Sequence, residues 1–202
     1  MAPNTSDTDT DADTQTADTA DTDTDTGDTD AIEVLDQGTL LRFTFDDLLR
    51  YAGPGSPGGV AMAFAAMRAA FPLLDSDQPV QRREVLIETA FRGPGGRDGF
   101  EHVTRGLTDG RYLVTDALEH PERGMALEQF VFRFLYRTRE CTLLVRAGVV
   151  TDDFVNMARK SDRTTDEERQ FTAMKQGLAD LLLAGQPEAF FEISCGDRDP
   201  GA

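Results

Sequence analysis

His102 follows Asp98 by four residues and stands beside Glu101 in the stretch RDGFEHVTRG. On a helix, positions four apart share a face, so Asp98 and His102 form a candidate pair of metal ligands or an acid–base couple. Glu88, near the end of EVLIETA, adds another carboxylate, and a carboxylate pair can divide general-acid and general-base work. Arg97 and Arg111 flank the region and could fork onto an anionic ligand. The plainer reading is a surface or capped histidine among ordinary salt bridges. His120 precedes Pro121 in a charged loop and is given no role.

A second cluster is backbone rather than side chain. YAGPGSPGG, residues 51–59, holds four glycines and two prolines. Within it, GPGSPG matches G-x-G-x-x-G in form. A dinucleotide fingerprint needs a strand before it and free amides at the start of the following helix. Here a helix precedes, and Pro54 and Pro57 remove two amide donors. What remains is a stiff loop through Gly53, Gly55, Ser56 and Gly58 that feeds a buried helix. The helix start and the Ser56 hydroxyl could meet an anion or polar ligand; a plain helix–helix turn is the alternative.

The elements that must position these residues follow from pattern. Thr44 caps a helix over 43–53, with Asp46 and Asp47 in its first turn and Gly53 as its stop. The apolar run 60–74 predicts a buried helix starting near Gly58, whose alanines permit close approach of a neighbour. Residues 83–91 read as a strand with Val85, Ile87 and Thr89 on one face. Residues 92–99 read as a glycine-rich loop, 99–107 as a short helix, 108–116 as a turn and strand, and 117–125 as a loop. Residues 127–137 and 141–149 predict a hairpin whose aromatics Phe130, Phe132, Phe134 and Tyr136 line one face, as core or as a dimer surface. Helices are predicted over 152–160 and 166–185, and a short strand or edge segment over 188–194. The order predicts an α+β domain with a mixed or antiparallel sheet packed by helices.

Bulk composition narrows the partners. Residues 1–30 carry ten Asp and ten Thr and neither Lys nor Arg, so they predict a disordered acidic tail, either simply solvated or a docking arm for a basic partner. The domain is expected over 31–195, with a flexible end at 196–202. Of the net charge of −17, the tail holds −10 and the rest −7, which argues against nucleic acid. Eighteen Arg against two Lys in an acidic chain suits a salt-rich cytoplasm, and a GC-rich genome would favour Arg over Lys as well. No apolar run reaches about 18 residues, so no membrane span is expected. Cys141 and Cys195 are too few for a disulfide framework; Cys141 reads as a core thiol and Cys195 as a thiol in a frayed end. A cytoplasmic location follows as the default.

From 44 to about 148 the chain resembles the formylmethanofuran dehydrogenase E-subunit family. That family places a loop of the form F-H-G-H-x-C-P-G between a short helix and an apolar helix. In register, this chain reads Tyr51-Ala52-Gly53-Pro54-Gly55-Ser56-Pro57-Gly58. A strand ending in an acid follows, matched by Glu88, and then a D-A-I-Q helix, matched by Asp98-Gly99-Phe100-Glu101. The family's T-G-C-T-x-G-K aligns with Thr104-Arg105-Gly106-Leu107-Thr108-Asp109-Gly110-Arg111, with one residue inserted at Arg105. The family's metal-binding histidines and cysteines are replaced here by Ala52, Pro54, Ser56 and Leu107, and the cysteine of its middle loop is missing. The resemblance implies a homodimer and a pocket lined by 53–58, 92–98 and 98–111. Its residues would be Gly53, Gly55, Ser56, Gly58, Glu88, Arg97, Asp98, Glu101, His102, Thr108 and Arg111. The expected role is a non-redox binding or accessory protein without a cofactor. The alternatives are a metal-dependent enzyme using Glu88, Asp98 and His102 with a weakly held divalent ion, and a structural component of a larger complex.

Overall fold

The described residues, 31–198 of a computed structural model, begin with a β-hairpin of β1 (Ala31–Asp36) and β2 (Thr39–Thr44). The tail expectation for 1–30 lies outside the described residues. Gln37 and Gly38 form the turn with φ of 52° and 83°, left-handed values whose twist suits a two-residue hairpin. No element is predicted over 31–42, because Gln-Gly is a weaker turn signal than Asn-Gly or Asp-Gly. Ile32 and Val34 face the core, and backbone bonds between Leu35 and the 80–82 segment tie the hairpin to the body.

α1 (Phe45–Ala52) starts as expected at Thr44, where a reciprocal capping box joins Thr44 and Asp47. α2 (Pro57–Leu74) is the central helix. Fourteen of its 18 residues are buried, among them Phe64, Met67 and Phe71. By length and mean hydropathy α2 could cross a membrane, although no run was expected to reach that length. It is 78% buried inside the protein, as a core helix is.

A five-stranded sheet packs against α2, in the order β4 (Tyr112–Val114), β3 (Leu86–Thr89), β5 (Val131–Tyr136), β6 (Arg139–Val145) and β7 (Phe191–Asp197). β3 and β4 are parallel and joined through α3 (Pro94–Thr104), while the other neighbours are antiparallel. β5 and β6 form the expected hairpin. Phe132, Phe134 and Tyr136 point inward, and Phe134 meets Phe71 edge-on at 5.9 Å, so the aromatic run is core. α4 (Asp152–Arg159) and α5 (Thr165–Ala184) follow, each behind a threonine cap, and β7 closes the sheet. The molecule is a single α+β domain with a mixed sheet.

Two local expectations are corrected. Residues 94–98 are helical rather than loop. Proline suits a first helical turn, and the glycines that argue against a helix are required there by packing. Cys141 and Cys195 are not separate thiols. The β6–β7 register sets them opposite each other, and they form a disulfide. Their separation of 54 positions in sequence hides that adjacency, and β7 continues as strand through Cys195 instead of fraying.

Candidate functional site

The glycine loop and the start of α3 do meet, but backbone to backbone. A Cβ on Gly95 would fall 2.5 Å from the Ser56 carbonyl oxygen, and one on Gly59 would fall 3.1 Å from the Gly96 nitrogen. One turn further on, Gly99 sits over Ala63, whose Cβ would be 2.9 Å from an added methyl. On the other side of α2, Gly58 lies against the Lys175 carbonyl of α5 at 2.9 Å by the same measure. These positions use the missing side chain to let three helices touch, and little space is left between them for a ligand. Gly53 and Gly55 differ, because nothing lies within 4 Å of a Cβ there. Gly53 has φ of 80° and ends α1, while the Gly55 carbonyl accepts a bond from Lys175 Nζ at 2.7 Å. Ser56 is the N-cap residue of α2 but makes no side-chain cap bond.

Asp98, His102 and Glu88 go separate ways. Ile87 and Thr89 are buried on the helix side of β3, so the alternation of a strand sends Glu88 to the opposite face. There it pairs with Arg133 at 3.2 Å. Asp98 pairs with its neighbour Arg97 at 2.9 Å on the α3 surface. His102 stacks on Tyr51 of α1, with ring centroids 4.7 Å apart, and meets Phe43 of β2 edge-on at 5.1 Å. Burial holds the His102 imidazole below its ordinary value; Asp47 acts the other way, and Arg82 and Arg105 add to the depression. Among the described residues, no three of His, Cys, Asp and Glu converge as a metal site would require.

Glu101, Thr108 and Arg111 have positions that explain them structurally. Glu101 is 4% exposed, and one carboxylate oxygen accepts the amides of Leu107 at 2.7 Å and Thr108 at 3.1 Å. Its other oxygen bonds the Thr108 hydroxyl. The carboxylate thereby organises the turn after α3, whose first residue, Arg105, is left-handed. Arg111 donates to the carbonyls of Val85 and Thr104 and pairs with Asp109. Arg82, which no sequence pattern singles out, has a similar task. Its Nε donates to the Val103 carbonyl and an Nη to the His102 carbonyl, both at 2.7 Å, capping the end of α3, and it pairs with Asp36 at 3.4 Å. Arg82 lies in a charged run with no periodic signal, so only its burial reveals it.

The buried Tyr112 hydroxyl has no hydrogen-bond partner among the described residues. Burial pushes its phenol up to about 12, against an opposing pull from Arg97.

Open space lies elsewhere. A cleft of about 710 Å³ runs between β1, the end of α2, the 75–80 segment and the turn at Pro187. Its floor is Ile32, Met67, Phe71 and Val80, and Arg42 and Arg68 stand on its rim. A smaller cleft of about 360 Å³ lies between α4 and α5, beside Asn156 and Met174. Neither includes a residue of the expected 53–58 and 92–111 pocket.

No family model matches the chain, and no curated protein matches it.

Proposed function

We propose that the protein is a non-redox binding or accessory protein, built on a domain like that of the formylmethanofuran dehydrogenase E-subunit family and lacking that family's metal grip. The observation that carries this reading is the chemistry of the replaced positions. Ala52, Pro54, Ser56 and Leu107 offer one hydroxyl among them, a poor donor for a soft or borderline metal. The packing of Gly58, Gly59, Gly95 and Gly99 supports it, because those glycines serve helix contact instead of a ligand. The competing enzyme reading draws no support from Glu88, Asp98 and His102, which have separate partners.

The ligand face of this proposal is the 710 Å³ cleft, whose size lies in the range of small-molecule sites and whose floor is apolar. A homodimer remains part of the proposal through the family resemblance. The cytoplasmic expectation and the disulfide pull in opposite directions, since reducing compartments keep thiols apart.

Elemental analysis of the purified full chain, with melting curves in the presence and absence of a chelator, tests the reading. The expected outcome is no stoichiometric transition metal and one melting curve. One zinc, iron or nickel per chain, lost in His102→Ala, would replace it with the metal-dependent alternative.

A further inference from the structure

The two ends of the disulfide are unlike. Cys141 is 0% exposed, in the core face of β6 opposite Phe134 of β5. Cys195 is exposed, on β7, the last strand of the sheet. Their Cα atoms are 4.1 Å apart across the two strands. We propose that this bond is a thiol–disulfide exchange site, entered at the Cys195 sulfur by an external thiol, and that its cleavage frees the outer half of β7.

The direction of attack follows from access. A thiolate must reach a sulfur in line with the bond it breaks, and only Cys195 lies at the surface. The incoming sulfur bonds to Cys195 Sγ, the Cys195–Cys141 bond breaks, and the electron pair passes to Cys141 Sγ, which takes a proton from solvent. Apolar surroundings disfavour a thiolate at Cys141, so it is a poor leaving group, and it stays beside the mixed disulfide it has just left. Because it is held beside that bond, Cys141, once deprotonated, expels a monothiol and restores the disulfide. A dithiol finishes the reaction: its second sulfur attacks the first, leaving an oxidised dithiol and two protein thiols. The reductant this site takes is a dithiol.

The consequence follows from what else holds β7. Phe191 is buried and Ile193 partly so, which anchors the first half opposite Val145 and Leu143. Past Ile193 come Ser194, Cys195, Gly196 and Asp197, all exposed. Asp197 reaches Arg139 only at 3.7 Å across an exposed surface pair, a weak tie. Apart from backbone bonds, the disulfide is the main hold on 194–198. Its loss uncovers the edge of β6 over 139–142, a row of backbone groups open to pairing.

The experiment uses the full chain purified without reductant. Alkylation under denaturing conditions should label neither cysteine before dithiothreitol and both after it. Labelling of both without reductant, persisting after mild oxidation, overturns the proposal. Native protein exposed to reduced glutathione and quenched in acid should carry the adduct on Cys195 alone; in Cys141→Ser the same adduct, formed when the free Cys195 thiolate attacks glutathione disulfide and releases one glutathione, should persist. An adduct on Cys141 overturns the direction of attack. Hydrogen exchange should show roughly a tenfold or greater loss of amide protection at 194–198 and 139–142 on reduction, with β3 and β5 unchanged. The same loss should appear in Cys141→Ser without reductant. Unchanged protection throughout would show that the bond holds nothing in place.

Discussion

The carbonyl oxygen of Ser56 lies 2.5 Å from where a side chain on Gly95 would begin. No side chain fits there without parting α2 from α3, since the neighbouring atom is backbone and cannot swing away. Gly95→Ala is therefore expected to cost about 1–3 kcal/mol in urea unfolding, as overpacked sites do. Gly55→Ala, four residues from Gly59 but facing open space, should change stability by less than about 0.5 kcal/mol. Equal effects of the two substitutions would remove the packing explanation for the glycine-rich loop.

Glu101 holds two backbone amides that lack other partners in the turn. Glu101→Ala leaves the Leu107 and Thr108 amides unsatisfied in a half-buried site and should lower unfolding free energy by about 2–3 kcal/mol. Glu101→Gln keeps an acceptor oxygen and should lose less. If Glu101 instead served a bound ligand, the alanine variant would keep its stability.

Arg82 and the last carbonyls of α3 depend on a planar fork. Arg82→Lys retains the charge but cannot reach the Val103 and His102 carbonyls in the same geometry. Arg82→Lys is expected to cost about 1–3 kcal/mol, with amide protection falling first at the end of α3. A lysine variant as stable as the parent would mean the guanidinium contacts are replaceable.

His102 supplies a pH signature. Its folded pKa lies below the ordinary 6.5, chiefly through burial, so the unfolded chain binds its proton more readily. The stability linked to His102 is fully present above about pH 6.5 and is lost as pH falls through the lower folded value. His102→Gln should flatten that part of the stability curve as pH falls below about 6.5, and the His102 ring resonance should titrate below 6.5 in the folded protein. A midpoint at or above 6.5 contradicts the burial between Tyr51 and Phe43.

Local chemistry is written in the chain wherever neighbours in sequence decide it. Thr44 and Asp47 are three residues apart, and their capping box needs nothing else. The apolar run of α2, the alternation in β5 and β6, and the acidic start and Gly185 stop of α5 are short-range patterns of the same kind, and together they specify an α+β domain. Tertiary structure alone decided the rest, because each remaining feature joins residues far apart along the chain. Gly95 reads as loop until α2 is laid against it. Glu88 and Asp98 read as one pocket until the pleat of β3 turns Glu88 to the other face. Cys141 and Cys195 read as two thiols until the β6–β7 register sets them side by side. Composition and periodicity constrain which element a residue joins; which residues it then touches depends on how those elements dock, and docking is a property of whole surfaces.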